Sequence, residues 1–412
     1  MFDILHTPSM VRTTRVTFFV ATTFVVALLF LAQPILTLAA TTSSWQIVPS
    51  PNASTTSVSN NTLEGVAALS DSDVWAVGNF NSSNGGAINH TLTEHWNGTA
   101  WSLVHSPNVG SMGSSLQGVS AASSNDVWAV GNVQTSNNVN GNRTLIEHWN
   151  GTAWSVVSSP NPSIEGDNLT GVAALSATSA WAVGWFENNA QSALQPIILH
   201  WNGTAWSLFP NIPNIGMIVE AITARSATDI WAVGSDAGTT TNIALHFNGT
   251  QWSITPTADF SSSQQIISGV AAPAANDAWM VGSFASATVG SFLQPLAIHW
   301  NGKTWSMVAV PNPSPFTNRL FGVAAISTSD VWAVGQANTP DGLNLHTLIE
   351  HWNGAQWSIV PSPNNPPTGQ AFDVLFGVTV SGPTSLWSVG GFDSLVKGNP
   401  GERTLTLHNT QG

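Results

Sequence analysis

The 412-residue sequence has no cysteine and no tyrosine. Without Cys there are no disulfides, no thiolate metal ligands and no Cys nucleophile. The lack says little about compartment, because a chain of this length builds a core large enough to need no covalent staples. Charge is scarce as well: Asp, Glu, Lys and Arg make up 7% of residues, against about 25% in a typical soluble domain. Solubility therefore rests on Asn, Ser, Thr and Gly. Lys and Arg number 8 and the formal net charge is −13. Such a surface repels phosphate backbones, so nucleic acid is not an expected partner. GxSxG, HExxH, Walker, EF-hand and dinucleotide signatures are all missing, so the sequence presents no catalytic set and calls for no cofactor or metal.

What is plentiful is tryptophan, with 20 residues, and it is periodic. The Trp of a DVWAVG-like segment recurs at Trp75, Trp128, Trp181, Trp231, Trp279, Trp332 and Trp387, with gaps of 53, 53, 50, 48, 53 and 55 residues. A His marker follows each, at His95, His148, His200, His246, His299, His351 and His408. A further Trp follows six of these, at Trp101, Trp154, Trp206, Trp252, Trp305 and Trp357. Its seventh copy lies at the other end: SWQIVPSPN, residues 44–52, matches QWSIVPSPN, residues 356–364. An N-terminal segment that completes the last repeat closes a ring, whereas open solenoids end in atypical caps.

Each repeat reads as four short strands, GVAALS, VWAVG, TLIEHWN and AWSIV, separated by turn signals. Their continuous apolar runs suit sheets covered on both faces. The predicted fold is all-β, a closed seven-bladed β-propeller of four-stranded antiparallel blades. It occupies 41–412, with 44–52 completing the blade formed by 374–410. Gly65, Gly118, Gly171, Gly269, Gly322 and Gly377, with Ala221 as the exception, are expected where innermost strands crowd the axis. Asp73, Asp126, Asp229, Asp277 and Asp330 are expected to cap tight turns. The Asn-Gly of HWNG signals a hairpin. Connections between strands two and three, and from four to the next repeat, vary in length and composition, and a propeller gathers both sets on one face. Variation confined to one face marks the side that binds.

The N-terminus supplies an address. Arg12 and Arg15 precede an uncharged run, Val16 to Ala40, broken by Pro34 and ending in small residues. Residues 1–40 read as a signal peptide, or else as an N-terminal anchor, since the run is long enough to span a bilayer. Either way the propeller is expected outside the cell, secreted or membrane-anchored.

At VWAVG followed by HWNGxxW the chain resembles a kelch repeat, and its Gly-x-x-Trp spacing loosely resembles the Asp-box turn of sialidases. It departs from kelch in having a Gly-Gly pair only at Gly390-Gly391 and Trp where kelch has Tyr, and from the Asp box in lacking the aspartate. The resemblance implies a propeller. It does not extend to galactose-oxidase-like or sialidase chemistry, which need a tyrosine that this chain lacks.

Among candidate site residues, the seven histidines are expected to be structural, because third-strand residues of separate blades cannot converge on one zinc ion. Glu94, Glu147 and Glu350 precede three of them and are expected on solvated blade edges. Trp185, in GWFENN on a second-to-third connection beside Glu187, is a candidate sugar platform or protein hot spot, or else an anchor for its own loop. Five residues before each marker His stand His90, Arg143, Gln195, Thr241, Gln294, His346 and Arg403, placed to rim the variable face. Glu64, Gln117, Thr170, Glu220 and Ser268 precede the first-strand Gly position, near the mouth of the channel. These polar residues either recognise a ligand or solvate loop ends. The sequence thus points to an exported binding scaffold for a polysaccharide or an extracellular protein. The alternatives are a polysaccharide lyase or hydrolase using Glu64, Glu220 or a rim residue, and a structural envelope protein.

Overall fold

The computed structural model describes residues 45–410, apart from 56–58, 82–87, 111, 136–140, 189–192, 214–215, 237–241, 258–263, 286–291, 366–371 and 395–400. The leader expected over 1–40, the rim position Thr241 and parts of the variable connections lie outside the described residues.

Among the described residues, twenty-eight strands form seven four-stranded antiparallel sheets, six of them in chain order and the seventh closed by the first strand of the chain. Blade 1 is β2 (Asn61–Ser70), β3 (Asp73–Asn81), β4 (Asn89–Trp96) and β5 (Trp101–Leu103). Blade 2 is β6 (Ser114–Ser123), β7 (Asp126–Gln134), β8 (Asn142–Trp149) and β9 (Trp154–Val156). Blade 3 is β10 (Asp167–Ser176), β11 (Ser179–Asn188), β12 (Ala193–Trp201) and β13 (Trp206–Leu208). Blade 4 is β14 (Met217–Ser226), β15 (Asp229–Asp236), β16 (Asn242–Phe247) and β17 (Trp252–Thr255). Blade 5 is β18 (Gln265–Ala274), β19 (Asp277–Ala285), β20 (Leu293–Trp300) and β21 (Trp305–Val308). Blade 6 is β22 (Asn318–Ser327), β23 (Asp330–Asn338), β24 (Leu345–Trp352) and β25 (Trp357–Ile359). Blade 7 is β26 (Asp373–Gly382), β27 (Ser385–Ser394) and β28 (Gly401–Thr410), and β1 (Trp45–Ile47) is its outermost strand.

That last pairing closes the ring as expected. Trp45, Gln46 and Ile47 lie opposite Asn409, His408 and Leu407, and Val48 N–H donates to Thr406 O at 3.0 Å. The PSPN motif acts just beyond it. Asn52 Oδ1 accepts the Thr404 N–H at 3.1 Å, as Asn108, Asn161 and Asn364 accept those of Thr91, Thr144 and Thr347 at 2.8 Å. The Ser-Pro-Asn run therefore pins the outgoing connection back onto its own third strand in blades 1, 2, 6 and 7.

Two glycine positions recur for different reasons. Every inner strand carries a bulge one residue before the Gly65-type position, as between Leu63 and Gly65. The bulge turns the Thr62 carbonyl toward Gly78, where a Cβ would lie 1.9 Å from it. Gly131, Gly184, Gly234, Gly282, Gly335 and Gly390 meet the same obstruction, so only glycine fits. At Gly65 the crowding comes from the next blade, with Gln117 O 2.8 Å from an added Cβ. That is the axial crowding read from the sequence, and blade 4 tolerates Ala221 there.

Between blades the core is aromatic. Trp75 packs on Trp149 and Trp154 of blade 2 at 4.9 and 5.3 Å, and Trp128 meets Trp201 and Trp206 of blade 3 at 4.9 and 5.2 Å. Each marker His stacks on its own blade's Trp with centroids 4.2–4.4 Å apart. In five blades its Nε2 meets the second-strand Asp at 2.8–3.2 Å, and in blade 7 it meets Ser385 at 2.9 Å. The histidines are structural, as expected. The aspartates are not the turn caps predicted for them: they hold the imidazoles. The turns are held instead by residues such as Ser70, whose Oγ accepts the Ser72 N–H at 3.3 Å.

A second correction concerns Glu94, Glu147 and Glu350. All three are 0% exposed, not on solvated edges, and none of their carboxyl oxygens makes a hydrogen bond. Burial raises Glu94 well above the usual carboxylate range. It raises Glu350 to about 8, and Glu147 to about 8 against a small opposing effect of the nearby Ser106 hydroxyl. The same register position holds Leu199, Leu245, Ile298 and Leu407 in the other blades. Strand periodicity had to miss this, because what covers these side chains comes from the neighbouring blade.

Candidate functional site

The bulge that demands Gly78 also places one side chain per blade beside the axis. In blade order these are Glu64, Gln117, Thr170, Glu220, Ser268, Phe321 and Phe376. A bulged residue leaves the alternation of its strand and is re-aimed. A cavity of about 200 Å³ opens at this level, lined by Glu220, Thr170, Ser268, Phe321, Phe376 and the axial glycines. A second, of about 280 Å³, continues toward the short turns and is lined by Val270, Ala271, Val323, Ala324, Val378 and Val380 among others. The charged and aromatic part of the lining thus lies where the inner strands begin.

Glu64 and Glu220 are both held up to about 7. For Glu220 the cause is burial; for Glu64 it is burial and then the charge of Glu402. Phe321 and Phe376, on adjacent blades, lie 5.3 Å apart with their planes at 52°. Reasoning from the sequence placed five members of this ring at the channel mouth and missed the two phenylalanines, which occupy the same alignment position but were not polar enough to be noticed. Ring order sets Phe321 on blade 6 across the axis from Gln117 and Thr170 on blades 2 and 3, and Phe376 on blade 7 across from Thr170 and Glu220 on blades 3 and 4.

The outer rim is more tightly bound than its sequence suggests. Arg143 donates from Nη2 to Ile164 O at 2.9 Å and lies 3.7 Å from Asp167. Burial lifts Asp167 to about 6, although the Ser163 N–H and Arg143 both oppose it. Arg403 donates to Ser59 O at 2.8 Å. Both arginines therefore tether the next blade's incoming connection. Gln195 is 7% exposed, His90 lies against Phe80 with centroids 5.2 Å apart, and Gln294 and His346 are half-buried opposite Phe284 and Ala337.

Trp185 is not on a connection. It lies within β11, half-buried, opposite Asn168 and Pro196, while Glu187 stands opposite Leu194 with its N–H donating to Gly166 O at 2.9 Å. The strand runs on to Asn188 because Ala193–Gln195 continue to pair with it. The structure therefore brings Thr170, Glu220, Ser268, Phe321 and Phe376 to one cavity, which Glu64 and Gln117 do not line, and leaves the rim residues and Trp185 distributed over separate blades. Among the described residues no group of three His, Asp or Glu side chains is arranged to hold a metal ion.

These features define a seven-bladed β-propeller with a lined axial channel. No family model and no curated protein matches the chain. Solved structures do match. The chain is similar to YCF48 bound to a D1 peptide, at 13% identity and TM-score 0.53, over 89% of this chain and 96% of the other. It is similar to YCF48 from Cyanidioschyzon merolae, at 14% identity and TM-score 0.52, over 89% and 98%. A protein of unknown function from Dyadobacter fermentans matches at 11% identity and TM-score 0.50, over 89% and 99%. At these identities the likeness is one of fold.

Proposed function

We propose that this propeller is an exported binding scaffold that recognises a partner at the face where the variable connections emerge, with the ring of bulge residues at its centre. One observation carries the reading: the channel opens there into a cavity that joins two phenyl rings to the half-buried carboxyl group of Glu220. A protein segment is the favoured partner and a polysaccharide the other. The peptide carried by a propeller of the same fold supports the former. The kelch-like repeat pattern, with uniform turns on one face and variable connections on the other, agrees with this division of labour.

The test is to probe the purified protein with glycan and peptide arrays, with Glu220→Gln and Phe376→Leu as controls. A specific signal lost in both variants supports the reading, and a signal indifferent to both moves the site elsewhere. A second reading, polysaccharide cleavage, draws on Glu64 and Glu220, since a carboxyl group near 7 suits a general acid. Sustained product release abolished by Glu220→Gln would establish it. Empty arrays together with self-association would instead support a structural envelope role.

A further inference from the structure

Resting on that reading, we infer that the channel mouth is built to take a single ammonium or guanidinium group on a narrow stem, as carried by a Lys or Arg side chain or a polyamine. Three observations converge on this chemistry. First, the bulge ring holds no cation: its members are two glutamates, Gln117, Thr170, Ser268 and two phenylalanines. The Thr170 hydroxyl is already spent on Val219 O at 2.7 Å. Sugar hydroxyls need donors as well as acceptors, and here donors are few. Second, Phe376 on blade 7 lies across the ring from Glu220 on blade 4, and both line one cavity together with Phe321. An aromatic face opposite a carboxylate suits a cation, which is attracted by both the ring quadrupole and the charge. Third, among the described residues no hydrogen-bond donor or basic group is set against Glu64 or Glu220, and Glu64 also feels Glu402. A guest cation would supply what these acids lack.

Size agrees as well. The cavity of about 200 Å³ has room for one such head group. The 7% charge content and the net −13 add a weak field that draws cationic partners toward the protein.

The inference is tested by calorimetric titration of the full-length protein with N-acetyl-lysinamide, N-acetyl-argininamide, spermidine and, as a neutral isostere, N-acetyl-norleucinamide. The expected result is saturable binding of the cations and none of the neutral compound. Glu220→Gln should weaken cation binding by about tenfold or more, the loss of one charge-assisted contact. Phe376→Leu should weaken it by several-fold while leaving the thermal transition cooperative. Binding should also release protons near neutral pH, a signature that Glu220→Gln reduces and a purely structural role would not move. If spermidine binds and the amino-acid amides do not, the guest is a free polyamine and not a protein side chain. If no cation binds while an array signal persists, the inference is overturned and the binding-face reading stands. If norleucinamide binds as well as lysinamide, the site is merely apolar and the inference is likewise overturned.

Discussion

Replacing Glu147 by leucine should make this protein more stable, and increasingly so as the pH rises. Glu147 is 0% exposed, and because the nearby Ser106 hydroxyl donates to Thr91 Oγ1 at 2.7 Å, neither of its carboxyl oxygens is hydrogen-bonded. Its equivalent in blade 3, Leu199, packs with Trp128, Val130 and Ile146 of the preceding blade, so leucine is already a proven occupant of the position. Even uncharged, an unpaired buried carboxyl group costs about 1–3 kcal/mol. Ionisation adds to that. Burial moves the group from 4.5 to about 8 in the folded protein, so between those values the native state holds a proton that the unfolded chain has released. Stability is then fully present below about 4.5 and declines until the pH reaches about 8. At about 1.36 kcal/mol per pH unit the loss across this window reaches at most about 5 kcal/mol for one such group. Denaturation followed by tryptophan fluorescence at pH 5 and pH 8 provides the assay. Glu147→Leu should exceed the parent by about 1–3 kcal/mol at pH 5, with the gap widening by several kcal/mol at pH 8. Glu147→Gln should show the widening without the full gain at pH 5. A gap equal at both pH values would refute the claim that this carboxyl group is buried and protonated.

Other substitutions examine the ring and its repeat. Gly184→Ala should abolish folding or cost more than about 3 kcal/mol, because its Cβ would stand 1.9 Å from Asn168 O. Gly171→Ala, whose nearest neighbour would be 3.3 Å away, should melt within a few degrees of the parent. Trp45→Ala removes a side chain 5% exposed that meets Trp332 edge-on at 5.8 Å. It should cost about 3–5 kcal/mol and speed exchange of the β28 amides above those of blade 3, measured by hydrogen–deuterium exchange. Asp126→Ala takes the partner from His148, 2.8 Å away. A loss of about 1–3 kcal/mol in thermal unfolding is expected, and added zinc should not restore it.

Much of the architecture was legible because it is written in local repetition. Seven Trp–His–Trp cycles counted the blades, and the PSPN match between the two ends predicted closure. The site was half legible. Glu64, Gln117, Thr170, Glu220 and Ser268 were found by their spacing from a glycine, whereas Phe321 and Phe376 looked like ordinary core residues. Trp185 was assigned to a loop because GWFENN reads as polar punctuation, yet Ala193–Gln195 pair with it and extend the strand.

By itself the sequence determined that each repeat makes four strands, how many blades there are and where the ring is fastened, since each follows from patterns within one repeat of about fifty residues or from the match of one end to the other. Only the tertiary structure decided which side chains are covered. Glu94, Glu147 and Glu350 sit in their strands as the pattern requires, and it is the preceding blade that shuts water away from them. The bulge, invisible to a count of alternation, turns seven unlike residues toward one axis. Burial is a property of what lies across a seam, and the residues across a seam are about fifty positions away in the chain.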